Sequence, residues 1–173
     1  MTALKGAPWR GFAIARIMVG CVPPPETNFM NDKAFLDTNI LLYAHEPANG
    51  IKHERARALI EKLWNSGGGV LSTQVLQELC VSLRRKTARP WTVEETRNLI
   101  SDYLDWHIVV NTPESVIEAL IIEARFQISF WDALIIQAAE SSGAAILYSE
   151  YLSDGQTYGS VRVVNPLIET ASD

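Results

Sequence analysis

Three carboxylates in this sequence stand where a folded chain can aim them at one spot: Asp37, Glu78 and Asp132. Asp37 directly follows the apolar run Ala34-Phe35-Leu36, at the carboxyl end of an expected strand, where open parallel sheets place their ligands. In Asp37-Thr38-Asn39 the same residue would also serve as a helix N-cap. Glu78 falls at the edge of an apolar helical stripe of Val75, Leu76, Leu79 and Leu83, from which a side chain can point along a sheet toward a cleft. Taken alone it would be an ordinary surface glutamate. Asp132 lies within the broad apolar arc of Trp131, Leu134, Ile135, Ile136, Ala138 and Ala139. An ionised carboxylate there needs a cation or hydrogen-bond donors, and Ser129, spaced as a capping-box partner, is one such donor. A fourth acid, Glu150, follows Ser149 at the end of the run Ala144 to Tyr148, with Asp154 as the alternative. Carboxylates gathered at one sheet edge are hard oxygen donors that suit Mg²⁺ or Mn²⁺. Such a centre activates water and stabilises charge on a phosphodiester.

The elements that must position these acids alternate between strand and helix. Ile40 to Tyr43 reads as the first turn of a short helix after the first strand, and Lys52 to Trp64 as a second helix, stopped by Gly67-Gly68-Gly69. Val70-Leu71 is a brief strand, after which Ser72 or Thr73 caps the helix that carries Glu78. Thr92 with Glu95 forms a capping box. Ile108 to Val110 is a third strand, and Thr112-Pro113 opens a helix whose inner face is expected to be Val116, Ile117, Leu120 and Ile121. Ser129 to Ser142 is an apolar helix closed by Gly143, and Ala144–Tyr148 and Val161–Val164 complete the strands. The alternation predicts an α/β fold, a central parallel sheet sandwiched between helices in three layers.

Composition bounds the reading without deciding it. The chain has 173 residues, enough for one sizeable core. Its formal net charge of −5 does not announce a nucleic-acid binder, so positive charge would have to be local or supplied by metal. The two cysteines, Cys21 and Cys80, form neither a disulfide framework nor a zinc cluster and fit a reducing cytoplasm. Phe12 to Val22 is interrupted by Arg16, too short to cross a bilayer and poorly built as a signal peptide. Residues 1–29 end in Pro23-Pro24-Pro25 and carry no packing periodicity; they read as an extension, either a flexible tail or an annotated start upstream of a natural one at Met30. The domain is expected over residues 30–173.

Leu36-Asp37-Thr38-Asn39, Ser72 to Leu79 and Phe130 to Ile135 resemble the successive acidic motifs of PIN domains. Ser149-Glu150, before Leu152 to Gln156, resembles the final motif of VapC-type toxins. The resemblance runs from about Lys33 to Pro166. It implies a sheet-centred nuclease fold, Mg²⁺-dependent endoribonuclease activity on RNA, a homodimer, and neutralisation by a VapB-like antitoxin. By motif match Asp37, Glu78 and Asp132 take metal-site roles and Asn39 orients a carboxylate. The departure is Tyr151, where such sequences commonly carry an aspartate.

For RNA contact, Arg84 and Arg85 follow Glu78; Arg85 is two turns along on the same flank, although basic residues also favour helix C-termini through the dipole. Two other functions compete. One is a PIN-like scaffold that binds RNA or a partner without cutting, favoured by Tyr151. The other is an aspartyl-nucleophile phosphatase, which wants a second acid two residues after the first, where this chain has Asn39.

Overall fold

The computed structural model describes residues 33–168. The expectations about residues 1–29 and Cys21 lie outside them. The fold starts from β1 (Ala34–Leu36), whose Phe35 and Leu36 are wholly buried. A three-residue strand with no exposed face must sit mid-sheet, and β1 does. It pairs in parallel with β2 (Gly69–Ser72) on one side and β4 (Ile146–Tyr148) on the other, Ala34 facing both Gly69 and Ile146. Beyond β2 lies β3 (His107–Val109), and beyond β4 lies β6 (Val161–Val164), all parallel. The last strand is β5 (Thr157–Tyr158), antiparallel to β6, so the sheet runs β3-β2-β1-β4-β6-β5. The central sheet is parallel, as expected, with one antiparallel strand added at its edge. β5 departs from it because a two-residue strand has no periodicity of its own and exists only through its pairing with β6.

Among the described residues six α-helices flank the sheet: α1 (Thr38–Ala44), α2 (Ile51–Ser66), α3 (Thr73–Arg85), α4 (Val93–Tyr103), α5 (Pro113–Phe126) and α6 (Phe130–Ser142). Their ends follow local chemistry. Ser72 accepts from the Val75 N–H at 3.3 Å and starts α3; Thr92 and Glu95 cap α4 reciprocally, as do Thr112 and Ser115 for α5, with Pro113 in its first turn. Gly67 (φ 70°) and Gly143 (φ 74°) end α2 and α6 in the left-handed region that glycine enters without strain. Helix α1 packs on α2 and α3, α3 on α4, and α5 on α6, which also lies against the sheet. No helix among the described residues is long and apolar enough to cross a membrane.

One helix faces the other way from expectation. Val116, Ile117, Leu120 and Ile121 of α5 are exposed, by 40, 61, 47 and 64 %. The buried stripe is Ser115 and Ala119, continued by the half-buried Ile122 and Phe126. That spacing is also helical, so α5 carries two apolar stripes and hydrophobicity alone cannot choose between them. Packing chooses: Ala119 meets Ala133 and Leu134 of α6, and small side chains let the two helices approach.

Candidate metal centre

Asp37 occupies the N-cap position of α1, with extended backbone (φ −74°, ψ 153°), yet its side chain makes no capping bond. It is drawn into the fold instead. Oδ2 accepts from Ser149 Oγ at 2.7 Å and from Asn39 Nδ2, while the Asp37 N–H donates to the Tyr148 carbonyl at 3.0 Å. Asn39 is thus hydrogen-bonded to the Asp37 carboxylate, and its own Oδ1 accepts from the Glu150 N–H at 3.3 Å. Asp37 is only 6 % exposed. Burial pushes its pKa up to about 6, against the bond from Ser149, and the negative charges of Glu78 and Asp132 push the same way.

Glu78 sits in the second turn of α3 and is held at both oxygens. Thr38 Oγ1 donates to Oε2 at 2.7 Å, and Gln74 Nε2, one turn back, donates to Oε1 at 2.9 Å. The Gln74 amide also donates to the Trp131 carbonyl at 3.3 Å, which ties α3 to the start of α6. Asp132 belongs to the first turn of α6. Its Oδ2 accepts from Ser129 Oγ at 2.7 Å, and its N–H donates back to that hydroxyl at 3.1 Å. The fully buried arc of α6 begins at Ala133, so Asp132 is half-buried at the arc's rim rather than inside it.

All three acids line one open cleft of about 570 Å³ at the carboxyl edge of the sheet. The proposed fourth acid is not among them. Glu150 turns toward α2, ion-paired with Lys52 and accepting from the Tyr43 hydroxyl at 2.5 Å. Burial raises its pKa, but the bonds from Lys52 and Tyr43 outweigh that and hold the carboxyl below its ordinary value. Asp154 is exposed and accepts from the Asn165 N–H at 2.8 Å. The residue this segment does bring to the cleft is Tyr151. On the basic side, Arg84 and Arg85 are exposed and stand outside the lining; Lys86, at the C-cap of α3, enters it. The two arginines fall in the last turn, where the helix dipole favours them.

Among the described residues, no three His, Cys, Asp or Glu side chains close on a common point as a metal cage. The donors still fit a hydrated hard cation. Mg²⁺ keeps several of its waters and takes one or two carboxylates directly. Asp37, buried and acid-facing, gains most from such a charge, with Glu78 and Asp132 across the cleft as further oxygen donors. The residues that sequence reasoning missed are those holding the acids: Thr38, Gln74 and Ser149. Ser149 is 112 residues from Asp37, and no local pattern announces such a bond.

The PIN domain family model matches residues 34–150, a span that holds all three acids. The chain belongs to the PIN domain family. Solved structures share the fold. This PIN domain superposes on VapC20 of Mycobacterium tuberculosis, described as a sarcin-ricin loop cleaving toxin, with a TM-score of 0.54 at 20 % identity, over 68 % of this chain and 89 % of that one. A toxin–antitoxin complex from Klebsiella pneumoniae gives 0.57 at 16 %, over 78 % and 98 %. The DNA-bound VapBC of Salmonella typhimurium gives 0.54 at 18 %, over 76 % and 96 %. No curated protein matches the sequence.

Proposed function

We propose that this PIN domain is a metal-dependent endoribonuclease and the toxin of a toxin–antitoxin pair. The observation that carries the reading is the single cleft into which two separate helices and one strand end bring Asp37, Glu78 and Asp132. The fold neighbours support the pairing, since they are VapC toxins or complexes of such toxins with antitoxins. The reading includes a homodimer working in the cytoplasm.

In this reading Asp37, Glu78 and Asp132 hold Mg²⁺, with Mn²⁺ as the alternative. The ion, when bound, supplies a polarised water and neutralises charge on the phosphate. The chain's own residues do the positioning. Asn39 and Ser149 fix Asp37, Thr38 and Gln74 fix Glu78, and Ser129 fixes Asp132. Hydrolysis adds water to phosphorus; its proton would pass to Glu78 or Asp132, the P–O bond to ribose breaks, and the leaving oxygen takes a proton from solvent. Fixed donors matter because they are aimed before the substrate arrives.

Removing one charge tests this. Asp37→Asn and Asp132→Asn should lose RNA cleavage by at least about a hundredfold, and lose Mg²⁺ binding by calorimetry, with unchanged circular dichroism. Cleavage at the wild-type rate by either variant overturns the assignment. A second reading, a PIN scaffold that binds without cutting, is favoured by Tyr151 standing in the cleft while Glu150 pairs with Lys52. Mg²⁺ binding with no turnover on any RNA would identify it.

A further inference from the structure

The cleft holds two large aromatic side chains out in solvent beside its carboxylates. Trp131 is 61 % exposed and Tyr151 75 % exposed, and both line it. They come from unrelated places, the first turn of α6 and the loop after β4. The backbone of Trp131 is tied to α3 through Gln74, and its ring meets Phe130 edge-on at 5.4 Å. The Tyr151 N–H donates at 3.2 Å to Ser149 Oγ, the same hydroxyl that holds Asp37. Strand β1, which ends at Asp37, runs between β2, which leads into α3, and β4. The two aromatic residues therefore reach the cleft from different elements, one tied to α3 and one following β4. A single exposed aromatic is unremarkable on a protein surface, but two on one polar cleft, from separate elements, are a feature of the cleft.

The charge around them indicates what they meet. The lining sets three carboxylates against one base, Lys86, on a chain of net charge −5. A polyanion gains little there from phosphate neutralisation, which otherwise dominates nucleic-acid affinity. Its binding must come from its uncharged parts. Aromatic faces stack on bases with little regard to sequence, provided the bases are not already paired and stacked with each other.

We propose that Trp131 and Tyr151 are base-stacking residues, which hold unpaired nucleotides beside the phosphate that faces Asp37. The inference rests on the ribonuclease reading and adds to it a source of affinity and a preference. Single-stranded RNA enters with its bases splayed onto the two rings, and continuous duplex is rejected. With one lysine in the cleft, binding should weaken only shallowly with salt, about as expected for a single neutralised phosphate.

The test uses the full chain carrying Asp37→Asn, so that RNA survives, and a short fluorescein-labelled unstructured oligoribonucleotide followed by anisotropy in Mg²⁺. Trp131→Ala and Tyr151→Ala should each weaken binding by about ten- to a hundredfold. Trp131→Phe and Tyr151→Phe should stay within about threefold, and Trp131→Leu should behave like the alanine variant, since only a π-face stacks. The same sequence as a duplex should bind worse and be indifferent to every substitution. Unchanged affinity in the alanine variants, or leucine as good as phenylalanine, overturns the proposal. RNA cleavage without the Asp37 substitution separates the two readings. If the chain cuts RNA and the alanine variants bind and cut equally well, stacking fails and the nuclease stands. If nothing is cut but binding still depends on both rings, the nuclease fails and stacking stands.

Discussion

At the scale of single residues, the site is defined less by its acids than by the hydroxyls and amides that hold them. Asp37 would be free to cap α1, and the local sequence invites it to; Ser149 and Asn39 take its Oδ2 instead. Ser149→Ala leaves a buried carboxylate short of a donor, a change that costs about 1–3 kcal/mol in stability. Lost second-layer support should also lower RNA cleavage about ten- to a hundredfold. Thermal melting and single-turnover rates check the two effects separately, and an unaffected rate would show that Asn39 alone suffices. The acids themselves were legible, because strand-end and stripe-edge positions follow from periodicity over a few residues. The nearby holders, Asn39 and Ser129, could be read too, but the distant ones could not, since Thr38 and Glu78 are 40 residues apart and Ser149 and Asp37 112. The same distance explains Glu150, which adjoins the site in sequence but finds Lys52 of α2 in space.

At the scale of elements, what is encoded within four or five residues reads directly from the chain. Ser72, Thr92, Thr112, Ser129 and Gly143 all end helices where their capping chemistry says they should. What depends on a partner element does not read directly. The inner face of α5 is decided by α6, and β5 exists because β6 lies beside it. The α5–α6 contact gives a discriminating prediction. Ala119→Leu inserts three carbons where Ala119 meets Ala133 and Leu134, and should destabilise by about 1–3 kcal/mol. Ile117→Ser, on the face first expected to be buried, should stay within about 0.5 kcal/mol in dilute protein. Urea midpoints for the two variants decide which stripe is inside; equal losses would mean that both are covered.

At the scale of the whole molecule, one buried titration couples the fold to pH. His45 Nε2 lies 2.8 Å from the Tyr103 hydroxyl, and its ring meets Trp91 and Tyr103 edge-on. Burial lowers its pKa from 6.5 to about 4, assisted by the neighbouring positive charges of His53 and Arg57. The folded state then binds fewer protons than the unfolded chain between those two values, so stability falls as pH drops through that window. The contribution is fully present above about pH 6.5, and its loss by pH 4 reaches about 3 kcal/mol at 1.4 kcal/mol per pKa unit. His45→Gln should therefore melt below wild type at neutral pH and approach it between pH 6.5 and 4. A gap that is constant across that range would show that His45 does not carry the effect.

The pairing of β1 with β4 also has a consequence in time. The first described strand leads into Asp37, whose carboxylate is held locally by Asn39 but also needs Ser149, and whose N–H donates to Tyr148, both more than a hundred residues later. During synthesis, at about 5–20 residues per second, that interval lasts several seconds at least. A nascent chain whose fourth strand has not emerged carries the acid without its clasp. On the proposed function, the nuclease centre is therefore incomplete while the chain is being made and is completed only once synthesis has passed β4.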